Sequence, residues 1–323
     1  MKRIFLAALL MALLCGCASE APAPETLPAT EAVRETEIPE TMVMEEIVLE
    51  EAPPAIFSVV LQPEAPGILE TRIADAVVDY SNTSDGYVMV CFTGFTETRL
   101  KVRIQGPKTL YTYNLPPEEW TVFPLSDGDG WYTVTVYENT GGSKYATVMS
   151  AGFAVILADE FAPFLRPNQY VDYGCAEDTV AKGAEICAGI GHPLDKVAAV
   201  YDYVVDNLSY DYEKAANVKS GYLPVLDQVL EEKQGICFDY AALMTAMLRS
   251  QNVPCKLVVG YAGSTYHAWI SVWTEDNGWI DGAIFFDGHS WHRMDPTFAS
   301  SEKRSEEIMD FIQNGKYTVK YLY

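Results

Sequence analysis

The chain has 323 residues and a formal charge of −23, from 45 acidic against 22 basic side chains. That balance argues against nucleic acid and against electrostatic docking on anionic lipid, while the length allows two domains with cores of their own. The seven cysteines contain no CxxC and the four histidines form no ligand pair, so neither a metal nor a cofactor is expected.

Residues 1–16 read as a signal peptide. Lys2 and Arg3 form a basic start, and Ile4 to Leu14 is an apolar stretch too short to span a bilayer with ordinary flanks. Leu14-Cys15-Gly16-Cys17 resembles a bacterial lipobox, which implies cleavage before Cys17 and lipidation of its sulfur. The alternative is an ordinary secretory peptide cleaved nearby. Either way the mature chain is exported, and an acylated Cys17 would anchor it on the outer face of a bacterial membrane, at the cell surface. Residues 17–54 are Ala, Pro, Glu and Thr with Arg34 as the basic residue. Such a composition cannot bury enough apolar surface to offset the entropy of ordering, so this stretch is expected to be a disordered acidic tether. Met42 to Leu49 is a small apolar island within it.

Residues 55–158 change in texture. Short runs rich in Val, Thr, Tyr and Phe recur: Val59–Leu61, Ala76–Tyr80, Tyr87–Phe92, Leu100–Ile104, Leu110–Tyr113, Trp120–Phe123, Trp131–Tyr137 and Lys144–Leu157. Turn signals such as Gly106-Pro107, Pro116-Pro117 and Gly141-Gly142 separate them. Seven or eight strands over about a hundred residues predict an immunoglobulin-like β-sandwich. Its tyrosines and tryptophans would suit a sugar or peptide surface, but alternating core and rim positions account for most of them.

Residues 159–323 form the second predicted domain. Asp159 to Tyr173 reads as a connector, followed by helices over Asp178–Ala188, Pro193–Asn207 and Pro224–Glu232. Gln234-Gly235-Ile236-Cys237 then opens a run without a helix breaker until Asn252-Val253-Pro254, apolar most of the way round and so buried. An apolar strand is expected after Pro254, with further strands at His267–Trp273 and Tyr317–Tyr323 and a helix over Glu302–Gln313.

Cys237 falls in the first turn of its helix, where free backbone N–H groups and the positive dipole end favour a thiolate. A lone cysteine is more often a buried apolar residue. His267 in His-Ala-Trp and Asp295 in Asp-Pro-Thr follow in order. They supply a base for the thiol proton and a carboxylate to orient the imidazole. Gly-x-Cys opening a helix, His-Ala-Trp on a strand and Asp-Pro-Thr after a tryptophan resemble the transglutaminase-like superfamily, whose core is related to papain-type cysteine proteases. The resemblance covers roughly Asp195 to Phe298, including Tyr210-Asp211-Tyr212. It implies an α+β fold, a papain-like transglutaminase core behind the all-β sandwich, with Cys237, His267 and Asp295 as catalytic residues.

Alternatives stand beside this reading. His267 alone could be structural, Asp295 a turn former, and His292 a rival base; Cys175 and Cys187 could form a disulfide or be two buried thiols. A thiolate attacking an amide carbonyl gives a thioester, which water or a lysine amine resolves, so the triad serves a peptidase and a transglutaminase equally. The expectation is a surface-anchored, monomeric thiol enzyme that hydrolyses extracellular or cell-wall peptides. A protein cross-linking transglutaminase, or a non-enzymatic adhesin or scaffold using the β-domain, are the alternatives. In the enzyme, one ring nitrogen of His267 should lie within about 4 Å of the Cys237 sulfur. Asp295, entering the neighbouring strand, should hold the other.

Overall fold

The structure, a computed structural model, describes residues 57–281, 284–286, 291–293, 295–299 and 316–323. The expected signal peptide, Cys17, the tether and the helix over 302–313 lie outside the described residues, as do His289 and the side chain of His292.

Eight strands come first: β1 (Glu70–Ile73), β2 (Ala76–Asp79), β3 (Tyr87–Phe92), β4 (Leu100–Gln105), β5 (Leu110–Leu115), β6 (Thr121–Pro124), β7 (Gly130–Gly141) and β8 (Lys144–Val155). They make two antiparallel sheets, ordered β1-β2-β3-β6 and β5-β4-β7-β8. In β4, Leu100, Val102 and Ile104 are buried while Lys101, Arg103 and Gln105 face outward, the period-two pattern of a strand with one covered face. Setting aside edge strands β1 and β5 leaves β2-β3-β6 against β4-β7-β8. These are the A-B-E and C-F-G pairings of an immunoglobulin-type sandwich. Tyr132, at the start of β7, donates its hydroxyl to the carbonyls of Leu125 at 3.1 Å and Gly128 at 2.9 Å. That is the tyrosine corner of such sandwiches.

Two elements of this half differ from expectation. Val59–Leu61 is not a strand: the Val59 N–H donates to the carbonyl of Ser250 at 2.8 Å, and Gln251 Nε2 donates to the Phe57 carbonyl at 2.7 Å. The short apolar run is used to close a helix end, whose last carbonyls lack intrahelical partners. Strand β1 was not expected, because the edge sequence Glu-Thr-Arg-Ile carries no apolar alternation.

The second half contributes α1 (Glu177–Ile186), α2 (Pro193–Asn207), β9 (Ser209–Tyr210), α3 (Tyr212–Asn217), α4 (Leu226–Glu232), β10 (Gln234–Gly235) and α5 (Cys237–Ser250). After these come β11 (Cys255–Ala262), β12 (Thr265–Thr274), β13 (Gly278–Asp281), β14 (Ile284–Phe286), β15 (Trp291–Arg293), α6 (Pro296–Ala299) and β16 (Tyr317–Leu322). One antiparallel sheet has the order β13-β12-β11-β16; β14 pairs with β15, and β9 with β10 in parallel. Helix α5 is the centre of this half, buried at every position from Asp239 to Ser250. Each of its fully buried Leu and Met side chains contributes about 1.5–3 kcal/mol relative to exposure. Asn252 at φ 59° and Pro254 end the helix as the sequence predicts.

Sandwich and helical half belong to one compact unit. Their junction is aromatic: Tyr111 lies 5.7 Å from Tyr321, Tyr113 lies 5.9 Å from Tyr323, and Tyr170 stacks on Tyr323 at 4.1 Å. Tyr170 also reaches Phe238 at 5.4 Å, so the aromatic chain runs from β5 to the residue after Cys237. Buried tyrosines of the sandwich therefore serve packing. Among the described residues no helix is long and apolar enough to cross a membrane.

Candidate active site

The turn before α5 is built by backbone pairing. Lys233, at φ 53°, ends α4 in a left-handed conformation. The Ser209 N–H then donates to the Lys233 carbonyl at 2.9 Å, and the Asp211 N–H to the Gly235 carbonyl at 2.8 Å. Asp239, in the first turn of α5, folds its carboxylate back so that Oδ2 accepts the Ile236 N–H at 2.8 Å, satisfying one free donor of the helix start. A Cβ on Gly235 would lie 2.6 Å from the Asp239 Cβ, which explains the glycine of Gly-x-Cys. Cys237 is left half-buried at the first helical position.

Strand β12 delivers His267, opposite Gly260 on β11. A Cβ on Gly260 would collide with the Thr318 carbonyl on β16 and lie 2.8 Å from the Trp269 ring. The close packing of β11 against β16 thus depends on that glycine. His267 and Asp295 are 4% and 3% exposed, and His267 Nε2 lies 2.6 Å from Asp295 Oδ2. Asp295 does not enter a strand as expected. It caps α6, with Oδ1 accepting the Thr297 N–H at 3.1 Å and Pro296 at the first helical position, a favourable helix start. The Tyr317 hydroxyl of β16 donates to Asp295 Oδ2 at 3.2 Å.

Cys237 lies close enough to the imidazole to act on its protonation. Burial by itself pulls the His267 imidazolium pKa down. The Asp295 charge and hydrogen bond, with the Cys237 hydrogen bond and charge, outweigh it and raise His267 to about 10. Tyr210 from β9 and Tyr266 from β12 stand within electrostatic reach of Cys237. Both hydroxyls are pushed up to about 12, chiefly by burial. A cleft of about 700 Å³ opens beside the turn, between α3 and α4, lined in part by Asp211, Lys214, Tyr222 and Glu232.

The structure therefore brings Cys237, His267 and Asp295 together. Cys175 is an exposed free thiol and Cys187 a buried one, so they are not joined, and Cys255 is buried in the core. Among the described residues no group of three His, Cys, Asp or Glu side chains is placed to hold a metal. Tyr317, Tyr266 and Lys214 were missed from sequence, where nothing local marks them. Asp239 carried a signal, an acid three residues after the helix cap.

Residues 181–282, which include Cys237 and His267, match the family model of the transglutaminase-like superfamily. An uncharacterized protein, YebA, of Bacillus subtilis is 29% identical over 106 residues, covering 27% of this chain and 14% of that protein. A protein-glutamine gamma-glutamyltransferase of Pseudomonas aeruginosa is 25% identical over 98 residues, 26% of this chain and 13% of that one. The chain thus matches only a small part of the length of these relatives. Among solved structures, the periplasmic domain of TgpA from Pseudomonas aeruginosa superposes over 71% of this chain and 97% of its own, with 15% identity and a TM-score of 0.33. Red sea bream transglutaminase does so over 72% and 56%, with 12% identity and a TM-score of 0.28. On the family match, the chain carries a transglutaminase-like domain, preceded by the strands of a sandwich.

Proposed function

We propose that the protein is a cysteine-dependent hydrolase that cleaves amide bonds in extracellular or cell-wall peptides. The observation that carries this is the buried His267 imidazole, held by Asp295 at 2.6 Å and acted on by the nearby Cys237. In the first step Cys237 Sγ, its proton already held by His267, bonds to the carbonyl carbon. The tetrahedral oxyanion is met by the Cys237 N–H at the helix start. Collapse breaks the C–N bond, His267 returns its proton to the leaving amine, and a thioester remains. Water, deprotonated by His267, then attacks that carbonyl; the C–S bond breaks, the acid leaves and the thiol is restored.

Asp295 holds the ring oriented and stabilises the imidazolium in both steps. Half-burial of Cys237 leaves water a path to the thioester, which favours hydrolysis. A lysine amine attacking the same thioester would give cross-linking. The relative named as a protein-glutamine gamma-glutamyltransferase makes this the second reading. The chain would act as an exported monomer, anchored on a membrane's outer face through an acylated Cys17. Mass spectrometry of the membrane-extracted protein should then show a lipid-bearing N-terminal Cys17. Incubation with peptide libraries, with and without a primary amine, tests the reaction: released free acid supports hydrolysis, and amine incorporation without free acid overturns it in favour of transfer.

A further inference from the structure

We infer that Lys214 and Asp239 are positioning residues for Cys237: a clamp on the nucleophile's turn whose ion pair cancels a carboxylate charge at the start of its helix. The inference rests on Cys237 being the nucleophile. Asp239 is completely buried two residues beyond it. Its Oδ2 takes the Ile236 N–H and the Lys214 ammonium, each at 2.8 Å, and its Oδ1 takes the Tyr222 hydroxyl at 2.5 Å. Lys214 Nζ also stands 4.4 Å from the centre of the Tyr222 ring, a cation–π contact. Its backbone is placed by Asp211, whose side chain accepts the Lys214 N–H at 2.8 Å while its own N–H donates to the Gly235 carbonyl. Helix α3 is thereby registered on the turn that carries Cys237.

Two physical requirements conflict at this turn. The N-terminal end of α5 favours negative charge on a sulfur placed there. A bare buried carboxylate in the same turn opposes it. Asp239 cannot be dispensed with, since it satisfies the Ile236 N–H and packs over Gly235. Lys214 resolves the conflict by neutralising it in place. The other groups facing Cys237 are His267 and Tyr266 from β12 and Tyr210 from β9. Those around Asp239 are Lys214, Tyr222 and, farther out, Tyr210, while Asp211 and Glu232 act on Tyr222. Of the charged residues lining the adjoining cleft, Asp211, Glu213 and Glu232 are acidic and Lys214 is basic, so no acid there can substitute for it.

The test is the rate of iodoacetamide alkylation of Cys237 against pH in the full chain, read on the Cys237 peptide by mass spectrometry. Lys214→Met should move the profile to higher pH by about one unit, about tenfold in rate below the midpoint. Asp239→Asn should move it to lower pH, although it removes a buried bond, and Lys214→Arg should stay near the parent. A merely structural clamp predicts that both neutralising variants slow alkylation. Shifts in the same direction, or none, overturn the inference; if one variant fails to fold, the direction of the other decides. His267→Ala separates this from the underlying reading. Alkylation indifferent to His267 removes Cys237 as an activated nucleophile, whereas dependence on His267 without opposed shifts removes only the ion-pair role.

Discussion

At its C-terminal end α5 buries Arg249, 1% exposed, which donates from Nε to the Cys255 carbonyl at 2.8 Å and from its two terminal nitrogens to Arg166 and Tyr323 carbonyls at 2.7 Å. At its N-terminal end it buries Asp239, also surrounded by donors, in the same turn as the half-buried Cys237 sulfur. Both charges are desolvated and both are compensated, so burial alone does not distinguish them. Arg249 faces backbone that only needs satisfying, and it ties together the connector, β11 and the chain's last residue. Asp239 stands beside the Cys237 sulfur, which also acts on an imidazole. The contrast teaches that a buried charge marks function when an accessible nucleophile shares its environment, and otherwise marks a structural junction.

The largest expected effect falls at the N-terminal end. Cys237→Ser and His267→Ala should each lower turnover by at least about 10³-fold. The Cys237→Ser melting temperature should stay within a few degrees of the parent, about the size expected for a change worth under about 1 kcal/mol, whereas His267→Ala, which leaves Asp295 buried without its partner, should also melt lower at neutral pH. Arg249→Met should do the opposite. It removes a donor from the Cys255, Arg166 and Tyr323 carbonyls, of which the last keeps the Leu257 N–H, and strips a fully buried charge of its place; the cost should be about 3–5 kcal/mol in a urea titration, with Cys237 alkylation per folded molecule unchanged. If Arg249→Met alters reactivity as strongly as stability, the two ends are not separable. A pH effect on stability should also be confined to the catalytic end. His267 is raised in the fold to about 10 from an ordinary value of 6.5. Its protonation therefore contributes stability that is fully present below about pH 6.5 and is lost as pH rises through about 10. The melting difference between parent and His267→Gln should shrink over that window and stay flat for Arg249→Met. The smallest effect expected is from Tyr317→Phe, which removes one of the Asp295 donors. Turnover should fall by about threefold to tenfold, with little change in stability.

Much of this was legible because it is periodic or local. The α5 run between Gly235 and Asn252, the alternation of β12, and the proline that starts α2 each reflect contacts within a few residues. Cys237, His267 and Asp295 were found through their motifs, and the structure brings them together. The misreadings share another cause. Asp295 caps a short helix because Pro296 and Thr297 favour one, although the motif was expected to enter a strand. Val59–Leu61 looks like a strand but finds its partner at Ser250, far along the chain. The Tyr317 bond to Asp295 and the stacking of Tyr170 on Tyr323 join residues whose order in sequence carries no sign of their meeting. Lys214 sits in an exposed-looking stretch, and only the return of α3 against the Gly235 turn makes it a partner of Asp239.

Covalent trapping tests the central claim most directly. The full chain is exposed to a peptide carrying an electrophilic amide mimic, and its intact mass and modified peptide are read for the parent, Cys237→Ser and His267→Ala. The account predicts one adduct on Cys237 in the parent, none in Cys237→Ser, and formation slowed by at least about 10²-fold in His267→Ala. An adduct on Cys175 instead, or labelling of Cys237 at an undiminished rate without His267, would contradict it.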